Sequence, residues 1–203
     1  MSNKQFNIIF TDEQILEHNE SGSKLCFGAG VGPRPDFNVV AHADKITSNV
    51  TVSWVDGFKI SATMDKFTDR VSIAKFNIVT DPADIKFGEV YTQPPTWVNG
   101  RISTATLPNN SFKFVNDTDR RASAVVFKTI NGKDSPFYIS ASPIDSKANE
   151  LMTPSSVVAL WFQRNAQVGT MVSLMKADIS IFDLSSRSSV NLKWNGDHFV
   201  ENN

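Results

Sequence analysis

The chain has 203 residues, 40% of them hydrophobic and 20% charged, enough to bury a sizeable core and too apolar for intrinsic disorder. Lys and Arg number 20 against 21 Asp and Glu, a net charge of -1, which excludes long-range attraction of nucleic acid or of an anionic membrane surface. The single cysteine, Cys26, excludes an intrachain disulfide and fits a reducing compartment.

The opening residues, MSNKQFNIIFTDEQ, contain neither a long apolar region nor a small-residue cleavage site, so a cytoplasmic location is expected. Gln5 to Phe10 places Phe6, Ile8 and Phe10 on one face and predicts a strand. Thr11 and Gln14 then have capping-box spacing, and Asp12 and Glu13 suit the positive end of a helix dipole. A short helix follows, ending before Gly22, with Ile15 and Leu16 as its inward face. Lys24 to Phe27 reads as a strand, Gly28 to Pro35 as a Gly/Pro loop, and Phe37 to His42 as the next strand.

Val50 to Val55 and Phe58 to Thr63 flank Asp56-Gly57, the pattern of a two-residue hairpin. Asn131-Gly132 lies between Ala122–Ile130 and Phe137–Ser140 as a second hairpin, whose turn Lys133 to Pro136 would lengthen. Asn195-Gly196 and Asn99-Gly100 complete the set of Gly-containing turns. Further strands are predicted over Val71–Ile78, Phe87–Tyr91, Ile102–Leu107, Phe112–Phe114, Val157–Gln163, Thr170–Leu174, Ile179–Leu184 and Val190–Trp194, with Ser142–Thr153 as a polar loop. The expected fold is all-β: one domain over residues 1–203, an antiparallel sandwich or barrel-like relative of roughly ten to thirteen short strands with one short N-terminal helix. The run Val157 to Phe162 does not alternate. It predicts a strand buried on both faces, one of them against a partner subunit or an overlying loop.

No catalytic motif stands out, and no cofactor or metal is expected. Gly28-Ala29-Gly30-Val31-Gly32 misses the dinucleotide spacing, and Pro33 follows where a helix should begin. His42 and Asp44, two apart on a strand, would share a face and form a base with its orienting carboxylate, but no nucleophile motif accompanies them. Asn116-Asp117-Thr118-Asp119 and the Asp81/Asp84 pair offer oxygen ligands without the EF-hand spacing, and read as polar turns. Trp97, carried by a Pro94-Pro95 loop between Thr96 and Asn99, is the strongest ligand candidate. An indole can stack on a sugar ring while Thr96 and Asn99 bond its hydroxyls.

Two segments, FNIIFTDEQ at 6–14 and TPSSVVALWFQRNAQVGTMVS at 153–173, resemble the fungal abundant perithecial protein-like family, proteins of fruiting tissue. The resemblance implies a cytosolic, all-β, self-associating protein with a non-enzymatic structural or storage role. Two other functions follow from the residues: a lectin using Trp97, Asn99 and Thr96, and a small-molecule isomerase or hydrolase with an inter-sheet pocket holding His42 and Asp44. Expected partners are a second copy of the chain and, for the lectin, carbohydrate; neither nucleic acid nor membrane is expected.

Overall fold

The computed structural model describes residues 3–75, 80–174 and 179–202. In chain order the elements are β1 (Asn3–Ile9), α1 (Asp12–Glu20), β2 (Ser23–Val31), β3 (His42–Asp44), β4 (Asn49–Val55) and β5 (Phe58–Thr63). After a single 3-10 turn at Ile73–Lys75 come β6 (Ala83–Ile85), β7 (Glu89–Gln93), β8 (Arg101–Thr104), β9 (Phe112–Asn116), β10 (Ser123–Ile130) and β11 (Lys133–Ile139). The remaining strands are β12 (Asn149–Met152), β13 (Pro154–Arg164), β14 (Ser180–Asp183), β15 (Ser189–Trp194) and β16 (Phe199–Glu201).

The strands form an eight-stranded sheet along β16-β15-β1-β4-β10-β5-β6 with β11 also on β10, and two four-stranded sheets, β12-β9-β7-β8 and β14-β13-β2-β3. Every strand pair among the described residues is antiparallel except β1–β15 and β7–β9. One hydrophobic core draws on all three sheets: Phe6, Val52, Ile60 and Val126 from the large one, Tyr91 and Phe114 from the second, Phe27 and Leu160 from the third. The all-β sandwich expected from the alternation is therefore the fold, with a short capped helix near its N-terminus. That cap is the expected one, Gln14 N–H donating to Thr11 Oγ1 at 3.3 Å and Thr11 N–H to Gln14 Oε1 at 3.1 Å. Only Ile15 turns inward; Leu16 is 59% exposed, because successive helical residues point about 100° apart.

Asp56-Gly57 does not reverse the chain. Both β4 and β5 run antiparallel to β10, Trp54 pairing with Ile130 and Lys59 through Thr63 with Phe127 through Ser123. They are thus successive stretches of one kinked strand, and neither Asp56 nor Gly57 takes the left-handed backbone of a type I′ turn. Between those pairings four residues, Val55 to Phe58, oppose two, Lys128 and Thr129. This is a bulge of two extra residues, with Gly57 N–H donating to the Val55 carbonyl at 2.9 Å. Long-range pairing along β10 outweighs the local preference of the dipeptide. Asn131-Gly132, in contrast, is a true two-residue hairpin: φ is 48° and 76°, and Ile130 pairs directly with Lys133. Its turn is shorter than expected.

Other expectations shift as well. Gly28 and Gly30 lie inside β2 rather than in a loop. Phe37 to Ala41 is buried but joins the sheets only through isolated bridges such as Val39–Met171. Val71 to Lys75 is a bridge and a 3-10 turn, while the rest of that predicted strand, residues 76–78, lies outside the described residues. The polar stretch 142–153 contains β12, paired to β9, and Thr170–Leu174 contributes bridges alone. β13 is buried on both faces as expected, but by its own chain: Val158 and Leu160 enter the main core, while Ala159 and Trp161 pack with Phe37, Val40, Ala166 and Val172. Of the two expected covers for the second face, overlying segments of the same chain are the one seen. No helix among the described residues is long and apolar enough to cross a membrane.

Candidate functional site

Strand alternation places three ionisable side chains on the core-facing side of the large sheet. On β1, Lys4 continues the inward row Phe6 and Ile8; just past the end of β4, Asp56 follows Val52 and Trp54; on β10, Lys128 sits within Ala124, Val126 and Ile130. Extending the β4–β10 register sets Asp56 opposite Lys128, and extending the β5–β10 register sets Phe58 opposite the same residue. On the other side of β10 the β11 register slips between Val126 and Phe127, making Phe137 an extra residue. Bulges on both neighbouring strands therefore gather side chains around Lys128.

Lys128 is 5% exposed. Its Nζ lies 3.8 Å from Asp56 Oδ1, 4.5 Å from the centroid of Phe58 and 5.9 Å from that of Phe137, within cation–π reach of both rings. Lys4 approaches the same carboxylate from behind, 4.0 Å from Asp56 Oδ2, and donates to the Leu184 carbonyl at 2.7 Å and to Ser156 Oγ at 3.4 Å. Two ammonium groups thus share one carboxylate in an apolar setting. Burial pushes the Lys128 ammonium down to about 8; Asp56 opposes that shift and Lys4 adds to it.

A cleft of about 550 Å³ opens beside Lys128, lined also by residues of β5 and β13 and of the loops preceding β7 and β9. Pro33, Pro35, Pro154, Phe58 and Phe87 make its apolar walls, and Asn109, Asn110, Ser155 and Ser156 its polar ones. Phe58 and Phe87 are 5.5 Å apart by ring centroid, and Phe87 is 45% exposed at the mouth. A neighbouring cleft of about 420 Å³ shares Asp56, Phe58 and Phe87 and contains Lys59 and Asp134, which pair with each other at 2.5 Å. A third, of about 570 Å³, is a polar depression beside Arg70, Lys75 and Arg164.

The residues singled out in the sequence go elsewhere. Trp97 is turned toward the main core, half-buried, at φ 54°, and its Nε1 is buried with no partner among the described residues. Thr96 and Asn99 are exposed, and Asn99 Oδ1 accepts from the Asp81 amide at 3.3 Å. The loop is drawn inward by Tyr91, whose hydroxyl accepts from Gly100 N–H at 3.2 Å and lies 3.0 Å from Gln93 Oε1. A Cβ on Gly100 would run into the Tyr91 ring. Close approach, not a left-handed turn, therefore requires that glycine. Trp97, Asn99 and Thr96 line none of the three clefts.

Nor do His42 and Asp44. His42 is half-buried and burial holds its imidazole below the ordinary value, Asp44 partly opposing; Asp44 Oδ1 accepts from the Lys45 amide at 2.8 Å. Cys26 is buried, and burial pushes its thiol up to about 12, far from a reactive thiolate. Asn116 and Thr118 are buried in a turn where Asn116 Oδ1 accepts from Thr118 N–H and Oγ1 at 3.1 and 2.7 Å. Among the described residues no group of three or more His, Cys, Asp or Glu is arranged to hold a metal. The signal that points to Lys128 was present in the sequence as a lysine within an otherwise apolar strand, Ala124-Val125-Val126-Phe127-Lys128. Compared with family models, with curated proteins and with solved structures, the chain matches none of them.

Proposed function

We propose that this protein binds small organic molecules that carry an acidic or carbonyl oxygen on a flat apolar body, and that it does so in the cleft beside Lys128. The observation that carries the reading is the buried ammonium itself. Displacing a lysine from its ordinary 10.5 to about 8 corresponds to roughly 3 kcal/mol of stability forgone. A methionine of similar volume would remove that burden. A fold that keeps such a group in the lining of a cleft has a use for it. The cleft's size falls in the ordinary range for small-molecule sites, with apolar walls and a few convergent polar groups. The Lys128 amine in its lining suits an oxygen ligand, and Phe58 and Phe87 suit a planar one.

Titration calorimetry with a panel of aromatic carboxylates tests the reading. Saturable one-to-one binding is expected, weakened at least tenfold by Lys128→Met and left unchanged by Trp97→Ala. A protein serving only storage would show no saturable binding to any member, and a lectin of the Trp97 loop would respond on a glycan array and lose that response with Trp97→Ala.

A further inference from the structure

We infer that Lys128 is a nucleophilic lysine that captures aldehydes or ketones on planar apolar bodies as a reversible imine, an inference that rests on the cleft being the ligand site. The geometry supplies each part the chemistry needs. Lys128 lines the cleft, and its Nζ lies within ion-pair distance of Asp56, 3.8 Å from Oδ1. Lys4 is different: its Nζ donates to the Leu184 carbonyl at 2.7 Å. Asp56, with its side chain 40% exposed, reaches from the amine to the cleft mouth and can carry a proton between them. The ring of Phe58 beneath Nζ and that of Phe87 at the mouth offer faces for a conjugated body.

Burial, rather than the surrounding charges, favours the neutral form of this nitrogen, since Asp56 outweighs Lys4 among the charged groups. Burial acts first, the Lys4 ammonium across Asp56 acts in the same sense, and Asp56 acts against them. Lys59 is engaged with Asp134 in the neighbouring cleft. Desolvation next to a second cation is a recognised route to an amine that attacks carbonyl groups near neutral pH.

In the step itself, the lone pair of neutral Nζ attacks the carbonyl carbon and the carbonyl π pair moves to oxygen. The proton that nitrogen gives up passes through Asp56 to that oxygen, forming a carbinolamine. A second transfer from nitrogen through Asp56 to the hydroxyl lets it leave as water while the nitrogen lone pair forms C=N. One aldehyde and one amine give one imine and one water; nothing is oxidised or reduced, and water reverses the step.

The test treats the full chain with trans-cinnamaldehyde and sodium cyanoborohydride at pH 7.5 and maps the alkylated lysines by peptide mass spectrometry. Lys128 is expected to be trapped at least tenfold faster than the exposed lysines, with a rate that rises through about pH 8. Asp56→Asn is expected to slow trapping at Lys128 several-fold without altering the exposed sites. Even labelling of all lysines, or labelling that spares Lys128, overturns the inference and needs no variant to read. If aromatic carboxylates still bind in that case, the cleft remains a non-covalent site and only the imine fails. If they do not bind either, the site reading fails with it.

Discussion

Lys128 and Trp97 illustrate how a side chain's position in the alternation outweighs its chemical promise. Trp97 is the residue type most apt to stack on a ligand, yet it packs against the core at a left-handed φ of 54°, a conformation that disfavours a bulky side chain. Trp97→Ala is expected to destabilise the fold by about 2 kcal/mol, between the values for exposed and fully buried aromatic truncations, as read by urea denaturation. Lys128, unremarkable in composition, faces inward because β10 alternates. Between about pH 8 and its ordinary 10.5 the unfolded chain holds a proton on this lysine that the native protein does not. Stability therefore rises with pH through that window, and the full penalty applies below it. Lys128→Met is expected to stabilise the protein at pH 7 by about 1–3 kcal/mol and to flatten the profile between pH 8 and 10.5. Unfolding titrations across that range would show both effects.

At the scale of elements, similar dipeptides serve different ends. Asn131-Gly132 closes β10–β11 with positive φ at both positions, so Gly132→Ala is expected to cost about 1 kcal/mol by chemical denaturation. Asp56-Gly57 carries the chain straight on, from β4 beside β1 to β5 beside β6, with β10 as a common neighbour. The kink sets Asp56 over Lys128, so the failure of the hairpin expectation and the location of the site have one cause. Nothing local distinguishes the two dipeptides; the difference lies in β10, more than sixty residues further along the chain. The lone capped helix, in contrast, was legible, since Thr11 and Gln14 satisfy each other within four residues.

The whole molecule sets how the histidines respond to pH. His18 stacks on Phe162 with ring centroids 3.6 Å apart, and His42 is half-buried in β3. Burial lowers the pKa of both below 6.5. As pH falls below 6.5 the unfolded chain takes up protons that the native protein resists, so stability is complete above that value and declines beneath it. A thermal-unfolding series from pH 7.5 to 5 is expected to show Tm falling, and His42→Asn to reduce the slope. The same scale explains the shielding of β13. Segments around Phe37–Val40 and Ala166–Val172 cover its second face, and pairing with β14 and β2 occupies both of its edges.

The inward row of Phe6 and Ile8, the helix cap and the all-β class were written in the alternation and capping residues, because those patterns depend on neighbours two to four positions apart, whereas several strand positions were not. Partnership between strands was not. That β10 runs along β4 and β5 in turn, that its two neighbours bulge beside Lys128, and that Lys4 and Asp56 converge there are results of pairings across the length of the chain. Such pairings are decided by the burial of the whole core, to which no short stretch of sequence has access.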